Sequence, residues 1–355
     1  MSQGRKEQRS LRLRLETTPG TGVAPRYIWR GLFEMPDDQR ELVNVEELVG
    51  IFGGTDRSYI PKYLAEITLG ESELTFEEAP ILFAAAGLGS AGGSTYGASG
   101  SACEFLFTVP VGTAPTTQSF TIEAGDNVEA EQLTYAVVSE LKLTFPGGEA
   151  VKSETTWMAR SVDRTNALGT FSAAGTLVSP AEVILSGRGS VSMNPAISGA
   201  TFGGVRGTPG NILGGEITFS DMWEAKFSVD SGQLYYHTAV WKGIVIEGEL
   251  TYEVQNVGTT GAMGTAGQRQ QWRDQQAQLM RLRWAGGTIP IGTTYNNKLF
   301  QIDLPIKYTK FEPLDDQNGN SIVTASFFSK YNEDVPAAGR GTVLVVRRGQ
   351  LEHLA

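Results

Sequence analysis

The order of sequence features in the middle of this chain occurs a second time at its end. One stretch begins at Tyr135 and reads YAVVSELKLTFPGGEAVKSETTWMAR, and the other begins at Tyr308 and reads YTKFEPLDDQNGNSIVTASFFSKY. Each starts with a tyrosine, passes through a turn at residues 147–148 or 318–319, and leaves as a strand that ends in aromatic residues. The turns lie about half the chain length apart, and a period this long predicts two related domains, not a solenoid.

A weaker pair of segments precedes the two hairpins. EITLGESELTFEE begins at Glu66 and VIEGELTYE begins at Val245, and each is followed by a helix-compatible segment that ends in LFAAAG or in QLMRLRWAGG. Few side chains are identical, so it is the order of elements that repeats. The sequence therefore predicts a mainly β protein with two tandem β-barrel or β-sandwich domains, each flanked by one α-helix. Two like domains present like surfaces, which favours assembly over catalysis as the function.

The polar segment 161–170 is the candidate linker between the two domains. It predicts an N-terminal domain over residues 1–165, with a basic N-terminal arm and a long irregular loop over residues 34–64. The C-terminal domain then covers residues 166–355 and includes a C-terminal arm. A long irregular segment inside a compact chain is usually a functional or partner-binding loop.

Alternation of apolar and polar residues marks the main strands. Residues 11–15, 133–145 and 300–308 alternate with a period of two, which is typical of half-buried strands. Pro305 interrupts the last of these and predicts an edge position or a bulge. The chain closes with the strand-like sequence TVLVVRR.

Helices and flexible loops are predicted from spacing and from glycine content. Apolar residues at helical spacing predict helices over residues 77–86 and 268–280. The glycine-rich segments 87–102 and 258–267 are predicted to be loops. Each half of the chain therefore contains one helix and several strands.

Composition limits the class of protein. The 43 glycines and 19% charged residues suit an all-β chain with many turns. With 39 acidic against 29 basic residues the net charge is -10, which favours solubility and repels DNA. No apolar stretch of about eighteen residues exists, so no membrane span is expected. The charged N-terminus lacks the apolar core of a signal peptide, and the single Cys103 cannot form an intramolecular disulfide, so synthesis in the cytoplasm is expected.

No combination of residues predicts catalysis, a cofactor or a metal ion. The two histidines, His237 and His353, together with one cysteine cannot form a zinc cluster. Residues 87–92 fit G-x-G-x-x-G, but they follow a predicted helix and open none, so the dinucleotide-binding context is missing. The acidic turn before Gly319 lacks coordinating residues at both ends of a calcium-loop register. No carboxylate pair lies in the apolar surroundings that acid–base chemistry requires, and we expect a protein that is not an enzyme.

Two clusters of opposite charge lie near the N-terminus. The basic leader contains Arg5, Lys6, Arg9, Arg12 and Arg14, and the loop after residue 34 contains Glu41, Glu46 and Glu47 among its acidic residues. One interpretation is ordinary solvated surface. The other is that the two clusters meet on neighbouring subunits or successive rings and direct head-to-tail association.

Several stretches resemble the major tail tube proteins of long-tailed (siphovirus-type) bacteriophages. QQWRDQQAQLMRLRW, followed by LFQIDLPIKYTKFEPLDDQNGNSIVTASFFSKYNED, is similar to the C-terminal half of that family. SFTIEAGDNVEAEQLTYAVVSELKL is similar to its N-terminal half. The resemblance covers roughly residues 59–331 and is strongest over residues 272–331. The chain departs from the simplest family pattern because its two halves resemble each other only weakly.

The resemblance implies a structural virion protein that stacks as rings into a tail tube, through which double-stranded DNA passes without specific binding. Implied partners are other copies of the chain, a tape measure protein, a tail terminator and tail tip proteins, with no membrane. A duplicated chain would form trimeric rings with six domains around the axis. The candidate lumen or inter-subunit residues are Leu133, Tyr135, Val137, Leu141, Leu143, Phe300, Ile302, Leu304, Ile306 and Tyr308.

Two other functions remain open at this point. The first is a non-enzymatic β-sandwich module of a phage tail that binds a receptor or a carbohydrate. The second is a hydrolase that uses scattered carboxylates, for which no residue pair gives support. Rings or tubes with a central hole, seen in the electron microscope, would distinguish the tube protein from both.

Overall fold

The computed structural model describes residues 6–50, 56–89, 94–96, 102–126, 128–163, 171, 173–177, 181–194, 212–229, 232–254, 265–289, 297–331 and 343–348. In these ranges the protein is mainly β, with large antiparallel sheets and two α-helices, which confirms the predicted mainly β fold. Neither of these helices is long and apolar enough to cross a membrane.

The elements follow one another in two series. The first is β1 (Ser10–Leu15), β2 (Tyr27–Ile28), β3 (Asp37–Asp38), β4 (Val43–Asn44), β5 (Ser58–Tyr59), β6 (Ala65–Glu73), α1 (Ala79–Ala85), β7 (Ser94–Tyr96), β8 (Ala102–Thr108), β9 (Phe120–Gly125), β10 (Ala130–Thr144), β11 (Lys152–Ala159) and β12 (Val162–Asp163). The second is β13 (Gly189–Asn194), β14 (Ile212–Ser220), β15 (Trp223–Lys226), β16 (Thr238–Trp241), β17 (Val245–Glu253), α2 (Thr265–Arg273), β18 (Gln278–Thr288), β19 (Asn297–Phe311), β20 (Asp315–Gln317), β21 (Asn320–Ser329) and β22 (Val343–Arg348).

The strand pairing repeats between the two series. In the first, the antiparallel neighbours run in the order β3-β6-β11-β10-β9-β1. In the second they run in the order β14-β17-β21-β19-β18-β13. The helix lies between corresponding strands as well, with α1 after β6 and α2 after β17. The repeated order of elements inferred from sequence is therefore a repeat of topology.

A bulge at the same place in both copies fixes the alignment between them. The register between β10 and β11 shifts at Ser139, whose Oγ donates a hydrogen bond to the carbonyl oxygen of Thr156 at 3.1 Å. The register between β19 and β21 shifts at Thr309, whose Oγ1 donates to the carbonyl oxygen of Ser326 at 3.1 Å. Ser139 and Thr309 are therefore equivalent, as are β10 and β19.

This alignment corrects the pairing of the two tyrosines made from sequence. Counting from the bulge, Tyr308 is equivalent to Val138, and Tyr135 is equivalent to Pro305. Tyr135 has a φ of 55° and lies where the register between β9 and β10 is irregular. Pro305 lies between the segments of β19 that pair with β22 and with β21, so one edge of the strand has no regular ladder there. At both residues one edge of a long strand passes from one partner strand to another. A proline is tolerated at position 305 because no ladder hydrogen bond is required on that edge.

The two copies share one sheet and one core. Residues 141–144 of β10 pair with residues 216–219 of β14, so the order β3-β6-β11-β10-β14-β17-β21-β19 is continuous across the predicted boundary. The buried apolar residues of both copies form a single cluster. A buried ion pair also joins them, with Lys298 Nζ 2.6 Å from Glu77 Oε1. The division at residues 165 and 166 stays a prediction, but the two copies are not separate cores.

Three local predictions need correction. The second helix ends at Arg273, and Leu279 and Met280 belong to β18, because the sequence QLMRLRWAGG pairs with both β13 and β19. Within the predicted linker, Val162 and Asp163 form β12 and pair with β10, while residues 164–170 lie outside the described residues. The predicted loop 87–102 contains β7, which pairs with β8.

Candidate functional site

One face of the continuous sheet is polar across its whole width. A single row of facing residues crosses it: Glu73, Lys152, Thr144, Glu216, Glu249, Ser326 and Lys310, on β6, β11, β10, β14, β17, β21 and β19 respectively. The opposite face of the same strands carries side chains such as Leu143, Ile217 and Phe327, which are buried in the core. The period of two in each strand therefore separates a core face from a solvent face.

The polar face, defined by the solvent-facing residues of these strands, carries more glutamates than lysines. Its glutamates are Glu66, Glu71, Glu73, Glu140, Glu154, Glu216, Glu247, Glu249 and Glu253, and its lysines are Lys142, Lys152, Lys307 and Lys310. One ion pair crosses the junction of the two copies, with Lys142 Nζ 2.8 Å from Glu216 Oε2. The hydrogen bond to Glu216 raises the pKa of Lys142 above its ordinary value. The face is acidic and solvated, and no described part of the chain covers it.

The ten residues proposed from sequence to face a lumen or a neighbouring subunit lie instead in the core. Leu133, Tyr135, Val137, Leu141, Leu143, Phe300, Ile302, Leu304, Ile306 and Tyr308 are all buried. Tyr308 shows this most clearly, because its hydroxyl lies 2.6 Å from that of Tyr252 and burial raises the pKa of both phenols. Alternation identified the strands correctly, but the apolar side of each strand faces the core, so these residues cannot line a lumen.

The middle of β19 is buried on both faces. Its polar residues Gln301 and Asp303 are shielded from solvent, and Asp303 forms an ion pair with Arg281 in which Oδ1 lies 2.5 Å from Nε. Ile302 faces Leu282 on one edge and Leu344 on the other. The strand is therefore paired on both edges there, and a proline at position 302 would disrupt the subunit itself. The gap in the ladder at Pro305 therefore does not extend to Ile302.

The charged clusters near the N-terminus are partly satisfied within the chain. The guanidinium of Arg12 lies 3.7 Å from the centre of the Phe171 ring and donates to the carbonyl oxygen of Ala173, and burial lowers its pKa. In the loop, Glu47 Oε1 lies 2.7 Å from Arg57 Nη1.

Other members of the two clusters remain at the surface. Lys6, Arg9, Glu41 and Glu46 are exposed, and Arg14 is half-buried on β1. Arg5 lies outside the described residues. Ring stacking through these charges stays a prediction, without contributions from Arg12 and Glu47.

Two insertions occupy the same place in the repeat. The first, here named the arm, covers residues 39–64 between β3 and β6 and contains β4 and β5. The second, here named the hairpin, covers residues 221–244 between β14 and β17 and contains β15 and β16. Sequence reasoning identified the arm as an irregular loop but missed that the hairpin is its counterpart. The sequence offered one signal for this equivalence: an insertion of similar length precedes both of the strands that begin near Glu66 and Val245.

The hairpin packs onto the first copy of the repeat. Tyr236 is fully buried, its ring centre lies 5.2 Å from that of Tyr135 with the two rings tilted, and its hydroxyl donates a hydrogen bond to the carbonyl oxygen of Tyr135 at 2.5 Å. Arg160 donates to the carbonyl oxygens of Tyr236 and His237 at 3.1 and 2.8 Å. Trp223 and Trp241 pack edge to face, over the end of α1. The hairpin thus joins the two copies within one chain.

The arm has no such cover. Its residues Leu42, Leu48, Val49 and Tyr59 are exposed. Among the described residues, the base of the arm contacts the hairpin: the Tyr63 amide donates to the carbonyl oxygen of Leu234 at 2.9 Å, and Lys62 Nζ lies 5.8 Å from the centre of the Phe227 ring. Several exposed apolar residues on one segment are typical of a binding surface. The molecule therefore offers an acidic sheet face and an apolar arm as candidate assembly surfaces.

Comparison with known proteins adds no family to these observations. A scan against protein-family models finds no match to this chain, and a search of curated proteins finds no significant relative.

Proposed function

We propose that this chain is a structural subunit that polymerises as stacked rings into a tube, with the polar face of its continuous sheet lining the lumen. The observation that carries the proposal is the junction of β10 with β14, which makes one curved sheet from two copies of the repeat. A sheet that is extended in this way within the chain can be extended by the same contact between chains. A closed ring of such sheets leaves no exposed edge.

The composition of the polar face supports a conduit for nucleic acid. Its glutamates outnumber its lysines, so it repels phosphate groups and gives DNA no stable contact as it slides past. The exposed apolar residues of the arm support stacking, because one subunit cannot bury them alone. Both features agree with the resemblance to phage tail tube proteins and with a place in the virion.

The repeat bears on the number of subunits in a ring. Three chains would place six copies of the repeat around the axis, and six chains would place twelve. We propose the trimer, because a contact repeated at every copy gives six similar junctions per ring, three inside chains and three between them.

The test is to purify the full chain, image it by negative-stain electron microscopy and measure the mass of isolated rings. Tubes or rings with a central hole, with a ring mass of three chains, support the proposal. A protein that stays monomeric at high concentration and low salt would overturn it and favour a binding module. Rings with the mass of six chains would overturn the trimer alone.

A further inference from the structure

The arm and the hairpin match each other in length. Asp37 faces Glu66 beside the base of the arm, and Thr218 faces Glu247 beside the base of the hairpin. The same number of residues separates the two members of each pair. Both glutamates also face equivalent residues of the next strand in their own copy, on β11 and β21. The two insertions can therefore be aligned position by position.

The strands of the two insertions also pair in one register. In the arm Val43 faces Tyr59, and in the hairpin the equivalent residues Glu224 and Val240 face each other. The next pair towards the tip agrees in the same way. The arm is therefore a β-hairpin of the same construction, although it carries different side chains.

The hairpin shows which surface such an insertion packs on. Trp223 and Trp241 face each other and lie over Gly87, the residue with positive φ that follows α1. A Cβ atom at Gly87 would lie 2.6 Å from the Trp223 ring and 2.9 Å from the Trp241 ring. Two large side chains thus fill the space that a glycine leaves open at the end of α1.

The end of α2 has the same backbone geometry but a different residue. The amide of Gly87 donates to the carbonyl oxygen of Ala84, and the amide of Gln275 donates to that of Trp272. Gln275 also has a positive φ, so it occupies the place of Gly87 in the second helix. Residues 273–276 are exposed. The surface that the hairpin covers on the first copy is therefore exposed on the second.

The side chains of the arm complement this exposed surface in size. Leu42 and Ile60 stand at the positions of the two tryptophans; Leu42 is 59% exposed and Ile60 is half-buried. Both are smaller than tryptophan, whereas Gln275 is larger than glycine. The differences compensate, because packing tolerates exchanges that keep the total volume similar. Burial of the two apolar side chains would favour the contact.

A second pair of equivalent positions is complementary in charge. Arg160 holds the hairpin on the first copy, where its Nη2 donates to the carbonyl oxygen of His237 at 2.8 Å. The bulge alignment puts Lys330 at the position of Arg160, and the match of the insertions puts Asp56 at the position of His237. Both residues are exposed. A lysine on the second copy and an aspartate on the arm attract each other and favour the correct orientation.

We infer that the arm of one subunit packs on the second copy of another subunit, with Leu42 and Ile60 over Gln275. Asp56 of the arm then lies beside Lys330 of the receiving subunit. The inference rests on the proposed assembly and names the surface that receives the arm. The two surfaces differ, so the contact is head-to-tail and is compatible with a closed ring. The tip of the arm lies beyond the contact, as the exposed tip of the hairpin does, and stays available for stacking.

Exchanges of side-chain size test the apolar part of the contact. Leu42→Trp should raise the protein concentration needed for polymerisation several-fold, because the larger ring collides with Gln275. Adding Gln275→Gly should restore polymerisation, since it recreates the internal combination of tryptophan and glycine. The matched control is Asn318→Gly, at another exposed residue with positive φ, which should not restore it. Urea unfolding of each monomer verifies that the variants fold.

Charge reversal tests the polar part. Lys330→Glu should weaken polymerisation at low salt, and Asp56→Lys in the same chain should partly restore it. Sedimentation at increasing protein concentration measures all the variants. Coupling within either pair supports the inference, because double-variant cycles detect interaction between residues in contact.

Two outcomes contradict the proposals at different levels. If the wild type polymerises but each second change has the same effect with and without the first, the arm does not pack on the end of α2. That result overturns this inference and leaves the proposed function intact. Failure of the wild type to polymerise overturns the proposed function itself.

Discussion

The arm and the hairpin occupy equivalent places in the repeat but have opposite relations to solvent. The hairpin buries Tyr236 and packs Trp223 and Trp241 over the end of α1. The arm leaves Leu48 and Tyr59 exposed and touches the rest of the chain mainly at its base. In this chain the hairpin belongs to the second copy of the repeat and packs on the first copy, which precedes it. The arm belongs to the first copy and is not covered in the same way.

The comparison explains why one of the two insertions is covered within its own chain and the other is exposed. The hairpin has the first copy of the repeat beside it, so its aromatic residues are buried as the chain folds. The arm belongs to the first copy, and its residues Leu48 and Tyr59 are exposed. In a ring, the second copy of a neighbouring subunit would lie beside the arm. The cost of losing translational freedom makes such a contact weaker and reversible.

The C-terminal ends of the two helices show the same contrast. Gly87 follows α1 with a φ of 76°, and Gln275 follows α2 with a φ of 55° at the equivalent position. A Cβ atom at Gly87 would lie 2.6 Å from the Trp223 ring, so the hairpin requires glycine there. Gln275 is exposed and its Nε2 donates to the carbonyl oxygen of Trp272 at 3.1 Å. The end of α2 is therefore open where the end of α1 is covered.

The largest expected effect is the difference in stability between a tyrosine substitution in the hairpin and one in the arm. Tyr236→Ala should lower the free energy of unfolding by about 3–5 kcal/mol, since it leaves a cavity and removes a buried hydrogen bond. Tyr59→Ala, in the exposed arm, should change it by less than about 0.5 kcal/mol. Urea titrations of monomeric protein measure both. Equal effects at the two positions would mean that the arm also packs on its own subunit.

Exchanging the residues that follow the two helices should change the stability of the monomer in opposite directions. Gly87→Gln should destabilise the monomer by about 2–4 kcal/mol, because it adds a clash with Trp223 to an unfavourable backbone conformation. Gln275→Gly should stabilise it by up to about 1 kcal/mol, because glycine adopts a positive φ without strain. Thermal unfolding of the two variants checks the comparison, and a tolerated Gly87→Gln would show that the tryptophans do not fix the hairpin.

Removing apolar side chains from the arm should affect assembly without affecting folding. Leu42→Ser/Leu48→Ser should leave the urea midpoint of the monomer unchanged and raise the concentration needed for polymerisation several-fold, since less apolar area is buried on association. The matched control is Val229→Ser, at the exposed tip of the hairpin. Sedimentation at increasing protein concentration gives the measurement. Unchanged assembly of the double variant would exclude the arm as a contact surface.

The smallest effect is expected for the charges. Reversal of Glu41 and Glu46 should weaken stacking slightly, and reversal of Arg9 and Arg14 should partly compensate, because exposed pairs contribute about 0–1 kcal/mol each. The loss should be visible below ~0.05 M salt and disappear at ~0.5 M, where the screening length is short. Tube length measured across a salt series tests this. If the variants match the wild type at every salt concentration, the charge pattern is solvated surface.

Sequence reasoning located most strands but not the surfaces they present. The alternation in residues 133–145 and 300–308 correctly predicted β10 and β19. It could not show that Gln301 and Asp303 would be buried, because a polar residue that finds an ionic partner can lie in the core. The strand at Gln278 was mistaken for the end of a helix, because short apolar runs fit both periods.

The sequence by itself determined the β fold and its repeat, because turn residues and alternation act over a few neighbouring positions. Gly148 and Gly319 have positive φ in the turn regions where the sequence placed them, and β6 and β17 occur where the weaker pair of segments was found. Tertiary structure alone decided which strands became neighbours across the two copies. The pairing of β10 with β14, the burial of the hairpin and the exposure of the arm depend on contacts between residues far apart in the chain, which no local pattern encodes.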